Sequence, residues 1–327
     1  MRFGRTVGGL AVAVVLSFAT ACTPAPAARP RAVPMVAVPR PAGVHDPAVV
    51  PTEAPPVDDC DRRASLRPPA QLPRPGRMPS GSTMARIAHN GRLVVGVSQT
   101  TYLFGYRDPF SGALRGLDID IAREIAAAIF GRPDRVQFWS TTSAQRIPFI
   151  TSGHVDLIVR TSSMTCERWR QVSFSSQYYQ AEQRLLVPGN STVRGIDDLG
   201  GKKVCAAAGS TDLAVVAAAR SRPVPVSAPE VTDCLVMMQL GQVDAISNDD
   251  ALLMGFVAQD PNSRIVGPSL DHEAYGIMMA HEAPDLVRFV NGVLARMRAD
   301  GSLAALYRRW LPPGAALPPV PAARYRD

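Results

Sequence analysis

The sequence predicts an α/β protein whose sheets are mainly parallel. Short apolar stretches of strand length alternate with longer segments that carry the apolar period of amphipathic helices. This alternation is typical of α/β domains, in which binding sites form at the carboxyl ends of the strands. The chain has 327 residues, so about two domains are expected once its non-globular ends are removed.

The amino-terminal end has the composition of an export signal. Arg2 and Arg5 precede an apolar run over residues 10–19, and small residues follow before Cys22. The run is too short to span a bilayer and is typical of a secretory signal. Because the boundary cysteine resembles that of a bacterial lipoprotein signal, we expect residues 1–21 to be removed and Cys22 to carry a palmitate-containing anchor. The protein would then sit in the cell envelope, on the outer face of the cytoplasmic membrane.

Two further segments are predicted to lie outside the folded body. Residues 22–80 hold 15 of the 30 prolines and lack aromatic side chains, which predicts an extended tether that cannot bury a core. Residues 313–327 are predicted to form a flexible tail. Of the net charge of +7, the signal contributes +2, the tether +3 and residues 308–327 another +3, which leaves residues 81–307 at −1. This charge distribution argues against nucleic-acid binding.

The body between these ends is predicted to alternate strands with helices. The predicted strands cover residues 92–97, 136–139, 156–159, 184–187, 203–206, 243–246, 264–266 and 276–280. The predicted helices cover residues 116–130, 143–153, 211–220, 232–240, 284–298 and 303–310.

The strand over residues 156–159 leads into a hydroxyl-rich turn, and Arg168 follows at the start of a predicted helix. Free backbone N–H groups at a helix start favour an anion, and a guanidinium can bind both oxygens of a carboxylate. We therefore interpret this stretch as a site for a carboxylate such as that of an α-amino acid. A simpler interpretation is that Thr165 caps the helix and Arg168 is a solvated surface charge.

The five cysteines suggest disulfide bonds. With Cys22 lipidated, four remain in an exported chain, and three pairings are possible. We favour Cys205–Cys234, within one predicted domain, and Cys60–Cys166, which would tie the end of the tether beside the carboxylate site. Free buried thiols are the alternative. Zinc-binding spacings are missing and the histidines are scattered, so neither a metal nor another cofactor is expected.

Short motifs recur in a fixed order along the body. They lie at residues 95–98, 112–122, 146–159, 161–168, 172–179, 199–204, 209–211, 241–251 and 300–310. The order and spacing of these motifs resemble those of the polar-amino-acid branch of the bacterial extracellular solute-binding proteins, which serve ABC importers. The resemblance covers residues 84–311.

The resemblance implies a two-lobed, periplasmic-binding-protein-like α/β fold with two hinge strands and a ligand cleft between the lobes. Lobe 1 would comprise residues 81–187 and 270–312, and lobe 2 residues 188–269. The crossings are expected at 181–187 and 270–276. The implied partners are a small-molecule amino acid and an ABC permease in the cytoplasmic membrane, with the protein itself a monomer and without catalytic residues.

The resemblance also assigns roles to the ligand's two charged groups. Arg168 would bind the α-carboxylate, with help from Ser163 and from the backbone or hydroxyl of Thr161. Asp249 would accept hydrogen bonds from the α-ammonium group. Alternatively, Asp249 serves only as the N-cap of a helix.

Other positions bear on the ligand side chain. Ser210 and Thr211 open a lobe 2 helix and would contact the side chain, although capping alone is the alternative. Ala207 stands where glutamine binders of the family often carry lysine, and the usual aromatic sandwich is altered around Ser98. Tyr102 and Phe104 would cover the ligand's aliphatic part or serve as ordinary core aromatics.

Arg160 adds a cation at the carboxyl end of a strand. An apolar ligand would leave it unpaired at a cost of several kcal/mol. We therefore favour aspartate, glutamate or their amides as ligands. The alternative is that Arg160 pairs with Asp118, Glu167 or another acid of the body.

Two other functions use the same fold. A cyclohexadienyl-dehydratase-like enzyme would need an acid placed to expel a leaving group. An amino-acid sensor would present its closed form to a membrane-bound kinase regulator rather than to a permease. The sequence favours the transport receptor.

Overall fold

The computed structural model describes residues 38–50, 60–312 and 317–327. The predicted signal and Cys22 lie outside these residues. The helices are α1 (Thr83–His89), α2 (Leu117–Phe130), α3 (Arg146–Thr151), α4 (Cys166–Trp169), α5 (Thr211–Ala218), α6 (Val231–Gln239), α7 (Asp250–Gln259), α8 (Pro284–Ala299) and α9 (Ser302–Trp310). Among the described residues, no helix is long and apolar enough to cross a membrane.

The strands vary from two to thirteen residues. They are β1 (Ala64–Ser65), β2 (Leu93–Val97), β3 (Thr100–Thr101), β4 (Gly105–Arg107), β5 (Leu114–Arg115), β6 (Val136–Ser140), β7 (Leu157–Ile158), β8 (Ser173–Phe174), β9 (Tyr179–Pro188), β10 (Lys203–Ala207), β11 (Val224–Ala228), β12 (Ala245–Asp249), β13 (Ser263–Tyr275), β14 (Met278–Met279) and β15 (Arg324–Tyr325).

Two five-stranded sheets form the centres of two lobes. The lobe 1 sheet has the order β6-β2-β7-β14-β8, and the lobe 2 sheet has the order β11-β10-β12-β9-β13. In each sheet the three strands at one side are parallel, and the remaining pairings are antiparallel. The predicted α/β class is confirmed, and the antiparallel additions are β14 and β8 in lobe 1 and β9 and β13 in lobe 2.

Strands β9 and β13 connect the lobes as an antiparallel pair. At one end of β9, Tyr179 packs in the lobe 1 core, and at the other end Leu186 packs in the lobe 2 core. Strand β13 runs from Val266 in a lobe 2 cluster to Tyr275 in lobe 1, with an irregular register between Val266 and Asp271. Both strands thus carry side chains that pack in the cores of the two lobes, and the crossings at 181–187 and 270–276 stay predictions.

Residues 60–80 differ from the expected tether, because they pack on lobe 1. Strand β1 pairs in parallel with β15 near the carboxyl terminus. The buried amide of Asn291 in α8 donates to Ser65 Oγ at 2.8 Å and to the Leu66 carbonyl at 2.6 Å. Leu72 packs closely on Gly292, because a Cβ atom added at Gly292 would lie 2.7 Å from Leu72 Cδ2. This proline-rich segment forms no core of its own and instead covers one that lobe 1 provides.

Residues 39–50 lie on lobe 2. His45 and Ser227 exchange backbone hydrogen bonds of 2.9 and 3.0 Å, and Ala48 N–H donates to the Pro225 carbonyl at 2.8 Å. Asp46 forms an ion pair of 2.7 Å with Lys203. The segment thus covers the edge strand β11, whose backbone groups would otherwise be open to further pairing.

The carboxyl terminus also differs from the expected flexible tail. Besides β15, the Arg326 guanidinium lies 4.2 Å from the ring centroid of Trp169. The Asp327 side chain accepts from the Arg67 backbone N–H at 2.7 Å. A strand of two residues leaves no periodic pattern in a sequence, so the composition around it indicated a tail.

Both predicted disulfide bonds are confirmed. Cys60 is bonded to Cys166 at the start of α4, and Cys205 in β10 is bonded to Cys234 in α6. The first bond fixes the start of the packed segment to lobe 1. The second lies in the core of lobe 2, where both cysteines are fully buried.

Candidate ligand-binding site

The lobes meet around a small cavity of about 20 Å³. Lobe 1 contributes the side chains of Ser143, Arg146, Arg160, Thr161 and Ser163. Lobe 2 contributes those of Ser210, Thr211, Asp212, Asn248 and Asp249. The structure therefore brings together six of the predicted site residues, and it adds buried charges that the sequence did not reveal.

Arg168 lies beside this cavity and bridges the lobes. Thr165 caps α4 by accepting from the Arg168 backbone N–H at 3.2 Å, so the capping interpretation holds for Thr165. The Arg168 side chain is nevertheless buried. Its Nη1 donates to the Ser163 carbonyl at 2.9 Å, and its Nη2 donates to the Gly209 carbonyl of lobe 2 at 3.1 Å. Arg168 is therefore not a solvated surface charge.

Arg146 is a second buried cation, and it lines the cavity directly. Its side-chain acceptors are uncharged: the Ser143 carbonyl at 3.1 Å, the Thr161 carbonyl at 3.4 Å and Ser162 Oγ at 3.3 Å. Burial lowers the pKa of the Arg146 guanidinium well below its ordinary value. The sequence pattern of a short amphipathic helix gave no sign that this arginine points inward.

Thr161 adopts a left-handed backbone conformation, with φ at +38°. Such a conformation is strained for a β-branched residue and persists where surrounding contacts impose it. Here its N–H donates to Asp118 Oδ2 at 3.0 Å, and Tyr178 O–H donates to Asp118 Oδ1 at 2.8 Å. The Thr161 N–H is thus already used by the protein, which leaves the hydroxyl for a ligand. Burial raises the pKa of Asp118 to about 7.

Asp249 ends strand β12 and precedes α7, but its side chain forms no capping hydrogen bond. Its Oδ2 accepts from the hydroxyl of Tyr275, while its buried Oδ1 has no hydrogen-bond partner in the structure. Burial raises the pKa of Asp249 well above its ordinary value, and the neighbouring Asp212 carboxyl adds to the effect. Asp249 thus stands at the N-cap position of α7, but its side chain does not cap the helix.

Asp212 lies in the first turn of α5 and is a buried acid that the sequence analysis missed. Its Oδ1 is buried without a hydrogen-bond partner. Burial, with the nearby carboxyl of Glu273 in β13, raises the pKa of Asp212 to about 7. An acid in a first helical turn is ordinary helix chemistry, so the sequence alone could not distinguish it from a surface residue.

We expect the free energy of unfolding of the ligand-free protein to be higher at pH 5 than at pH 8. Asp212 has a folded pKa of about 7 against an ordinary value of 3.8. The raised pKa of Asp212 therefore stabilises the folded protein fully below the unfolded pKa. This stabilisation is lost as the pH rises through about 7. Urea unfolding at both pH values should show that Asp212→Asn reduces the difference by about 2–3 kcal/mol. Exposed Asp197→Asn is the control, and an unchanged pH difference in the Asp212 variant would contradict the assignment.

Arg160 pairs across the cleft with Glu230, so the alternative that it pairs with another acid of the body holds. The Arg160 Nη2 and Glu230 Oε2 atoms are 2.8 Å apart, and Thr100 Oγ1 lies 3.3 Å from the same oxygen. Arg160 Nη1 donates to Ser143 Oγ at 2.8 Å, whereas its buried Nε has no partner. Glu230 precedes α6, and the sequence showed it only as a residue before a helix.

The two lobe 2 hydroxyls lie at the start of α5. Ser210 is the N-cap of α5 and accepts from the Leu213 N–H at 3.4 Å, and Thr211 Oγ1 lies 3.4 Å from Ser163 Oγ of lobe 1. Both residues line the cavity, as does Ala207 at the end of β10. Capping and cavity lining therefore coexist at Ser210.

The predicted first-lobe aromatic residues do not line the cavity. Phe104 is fully buried in the lobe 1 core, with its ring centroid 5.3 Å from that of Tyr179. Tyr102 packs edge-on against Tyr106. Ser98 Oγ lies 2.9 Å from Thr101 Oγ1, and it is Thr101 that reaches the cavity. Of the two interpretations of Phe104, the structure has the core aromatic.

Within the three described ranges, no group of three His, Cys, Asp or Glu side chains is arranged to hold a metal ion. The cavity instead sets buried guanidinium groups of lobe 1 against buried carboxyl groups of lobe 2. Such a site can hold a small molecule that carries both charges.

The sequence profile of the bacterial extracellular solute-binding proteins, family 3, matches residues 93–313. The chain belongs to this family. It is 35% identical over 238 residues to the ABC transporter glutamine-binding protein GlnH of Bacillus subtilis, covering 70% of this chain and 84% of that protein. It is 28% identical over 246 residues to the glutamate/aspartate import solute-binding protein of Salmonella typhimurium, covering 72% of this chain and 81% of that protein.

Solved structures agree with this membership. The crystal structure of the solute receptor for L-cysteine of Neisseria gonorrhoeae matches with a TM-score of 0.68 and 29% identity, covering 73% of this chain and 98% of that one. The predicted family resemblance and the two-lobed fold are confirmed. Because these relatives are solute-binding proteins, the family-3 chain is a binding protein rather than a dehydratase.

Proposed function

We propose that this family-3 protein is the amino-acid receptor of an ABC importer, with glutamate, aspartate or their amides as ligands. The observation that carries the proposal is the charge arrangement of the cavity. Buried Arg146 and Arg168 belong to lobe 1, and buried Asp212 and Asp249 belong to lobe 2. A zwitterion satisfies both sets of groups with charge-assisted hydrogen bonds. The names of the relatives indicate polar amino acids for those proteins.

The α-carboxylate is assigned to the lobe 1 side. Each Nη of Arg168 uses one N–H on a backbone carbonyl, and a guanidinium carries five N–H groups in all. The remaining N–H groups, with the hydroxyls of Ser163 and Thr161, can receive the carboxylate oxygens. Arg146 adds a second positive charge to the same wall.

The α-ammonium group is assigned to the lobe 2 side. Asp249 Oδ1 and Asp212 Oδ1 are buried acceptors without a donor, and such atoms cost free energy until they are paired. An ammonium group supplies three donors and a positive charge. Ser210 and Thr211 stand beside these acids and are assigned to the ligand side chain.

Ligand binding requires the lobes to separate and close again. A cavity of about 20 Å³ holds a water molecule or two, which is less than any amino acid occupies. The closed form is held by contacts between the lobes at Arg168, Arg160 and Ser163. Separation of the lobes breaks these contacts and exposes the charged groups to a ligand.

The proposal extends to the setting of the protein. We infer that Cys22, outside the described residues, carries the lipid anchor and that the closed monomer docks on a permease of the cytoplasmic membrane. A membrane-bound regulator would contact the same lobe faces in a sensor.

Calorimetric titration of the lipid-free protein with each of the twenty amino acids tests the function. We expect saturable one-to-one binding of glutamate, aspartate, glutamine or asparagine, because only polar side chains match the hydroxyls and charges of the cavity. The control is the matching D-amino acid, whose ammonium and carboxylate cannot both meet the assigned groups with the side chain in place. Failure of every amino acid to bind would overturn the proposal.

A further inference from the structure

Arg160 lines the cavity, and its ion pair with Glu230 has no assigned role in holding the ligand's α-carboxylate or α-ammonium group. Arg160 comes from lobe 1 and is 5% exposed, so its charge is compensated inside the protein rather than by solvent. Glu230 comes from lobe 2. The pair therefore forms only when the two lobes are closed.

Glu230 is held firmly in its position. It is the N-cap of α6 and forms a reciprocal capping box with Asp233. Thr100 of lobe 1 donates to Glu230 Oε2, the oxygen that also pairs with Arg160. Moving Glu230 away from Arg160 would break these contacts and leave Arg160 as an unpaired buried charge, which is strongly unfavourable.

Because of this ion pair, the part of the cavity next to Arg160 is unsuited to a further charged group from a ligand. A ligand carboxylate next to Arg160 would also lie close to Glu230, and two carboxylates in a buried site repel each other. Arg160 Nε–H, however, is buried without an acceptor. A neutral carbonyl oxygen can accept from it and satisfies a donor that is otherwise unpaired.

We propose that the Arg160–Glu230 pair selects a side-chain amide, as in glutamine and asparagine, over the corresponding acids. The proposal rests on the proposed amino-acid function and narrows its ligand class. Arg160 supplies a donor for the amide carbonyl, and Glu230 excludes a carboxylate from the same place. The pair acts on the ligand side chain, whereas Arg168 and Asp249 act on the groups that all α-amino acids share.

Competitive calorimetry with L-glutamine and L-glutamate at pH 7.5 tests the selection. The wild-type protein should bind glutamine at least about tenfold more tightly, and Glu230→Gln should shift the ratio of the two affinities at least about tenfold toward glutamate. Arg160→Gln should shift the ratio in the opposite direction, because Glu230 then faces the ligand without its cation. Asp233→Asn alters the same capping box without removing the ion pair, and it should leave the ratio unchanged.

The outcomes separate this proposal from the function itself. Binding of no amino acid by the wild-type protein would overturn the proposed function. Tighter binding of glutamate, or of an amino acid with a cationic side chain, would keep the receptor function and overturn the selection. A ratio that moves equally in Glu230→Gln and Asp233→Asn would show that the capping box, not the ion pair, sets the preference.

Discussion

Replacing Asp249 with asparagine is expected to lower amino-acid affinity at least about 30-fold. Loss of one partner from a buried, hydrogen-bonded charge pair costs about 2–5 kcal/mol, and each 1.4 kcal/mol is a factor of ten in affinity. The asparagine oxygen can still accept from Tyr275, as Asp249 Oδ2 does, so the fold around the site should persist. The unpaired Oδ1 is replaced by an NH₂ group, which repels an ammonium group.

Asp250→Asn is the matched control for this experiment. Asp250 is the next residue, and its Oδ1 accepts from the backbone N–H groups of Glu182 and Ala251 at 3.1 and 2.7 Å. It does not line the cavity. Calorimetry should therefore give near-wild-type affinity for this variant. Equal losses in the two variants would remove Asp249 from the list of ligand-binding residues.

Replacing both Cys60 and Cys166 with serine is expected to lower the free energy of unfolding by about 2–5 kcal/mol. The bond joins residues 106 positions apart, so its loss releases a long closed loop in the unfolded chain. In the folded protein it fixes residues 60–80, whose contacts with α8 include the buried amide of Asn291. Urea unfolding with and without the substitutions measures the change.

The ligand affinity of the same double variant should change little. Arg168 remains held through the Thr165 cap and through the carbonyls of Ser163 and Gly209. Arg74→Ala, an exposed change in the same segment, serves as the stability control. A loss below about 1 kcal/mol in the double variant, well under the usual cost of removing a native disulfide, would mean that residues 60–80 are held without the bond.

Sequence patterns located most of the longer strands and helices, because burial of a strand or helix leaves a periodic signal in the chain. Asp249 was assigned through the family resemblance, and it follows an apolar strand at the edge where sites form. Thr161 and Ser163 were found as part of a local turn. Thr161 and Ser163 lie in the same short stretch of the chain as the strand and the turn that indicate a binding site.

Arg146, Asp212 and Glu230 have no such local signal. Each lies at or just before the start of a helix, where charged residues are common on protein surfaces. Their burial results from the approach of the other lobe, which depends on contacts between residues far apart in sequence. The same holds for residues 60–80, whose packing depends on a core built by later parts of the chain.

The amino-terminal segment is attached to both lobes at once. Residues 45–48 pair with β11 of lobe 2, and Cys60 is bonded to lobe 1 through Cys166. Ten peptide links join Val50 to Cys60, and a fully extended chain of that length reaches about 35 Å. If the lobes opened so far that Val50 and Cys60 were separated by more than this distance, residues 45–48 would have to detach from β11. The length of this backbone segment therefore limits how far the two lobes can separate while both attachments remain intact.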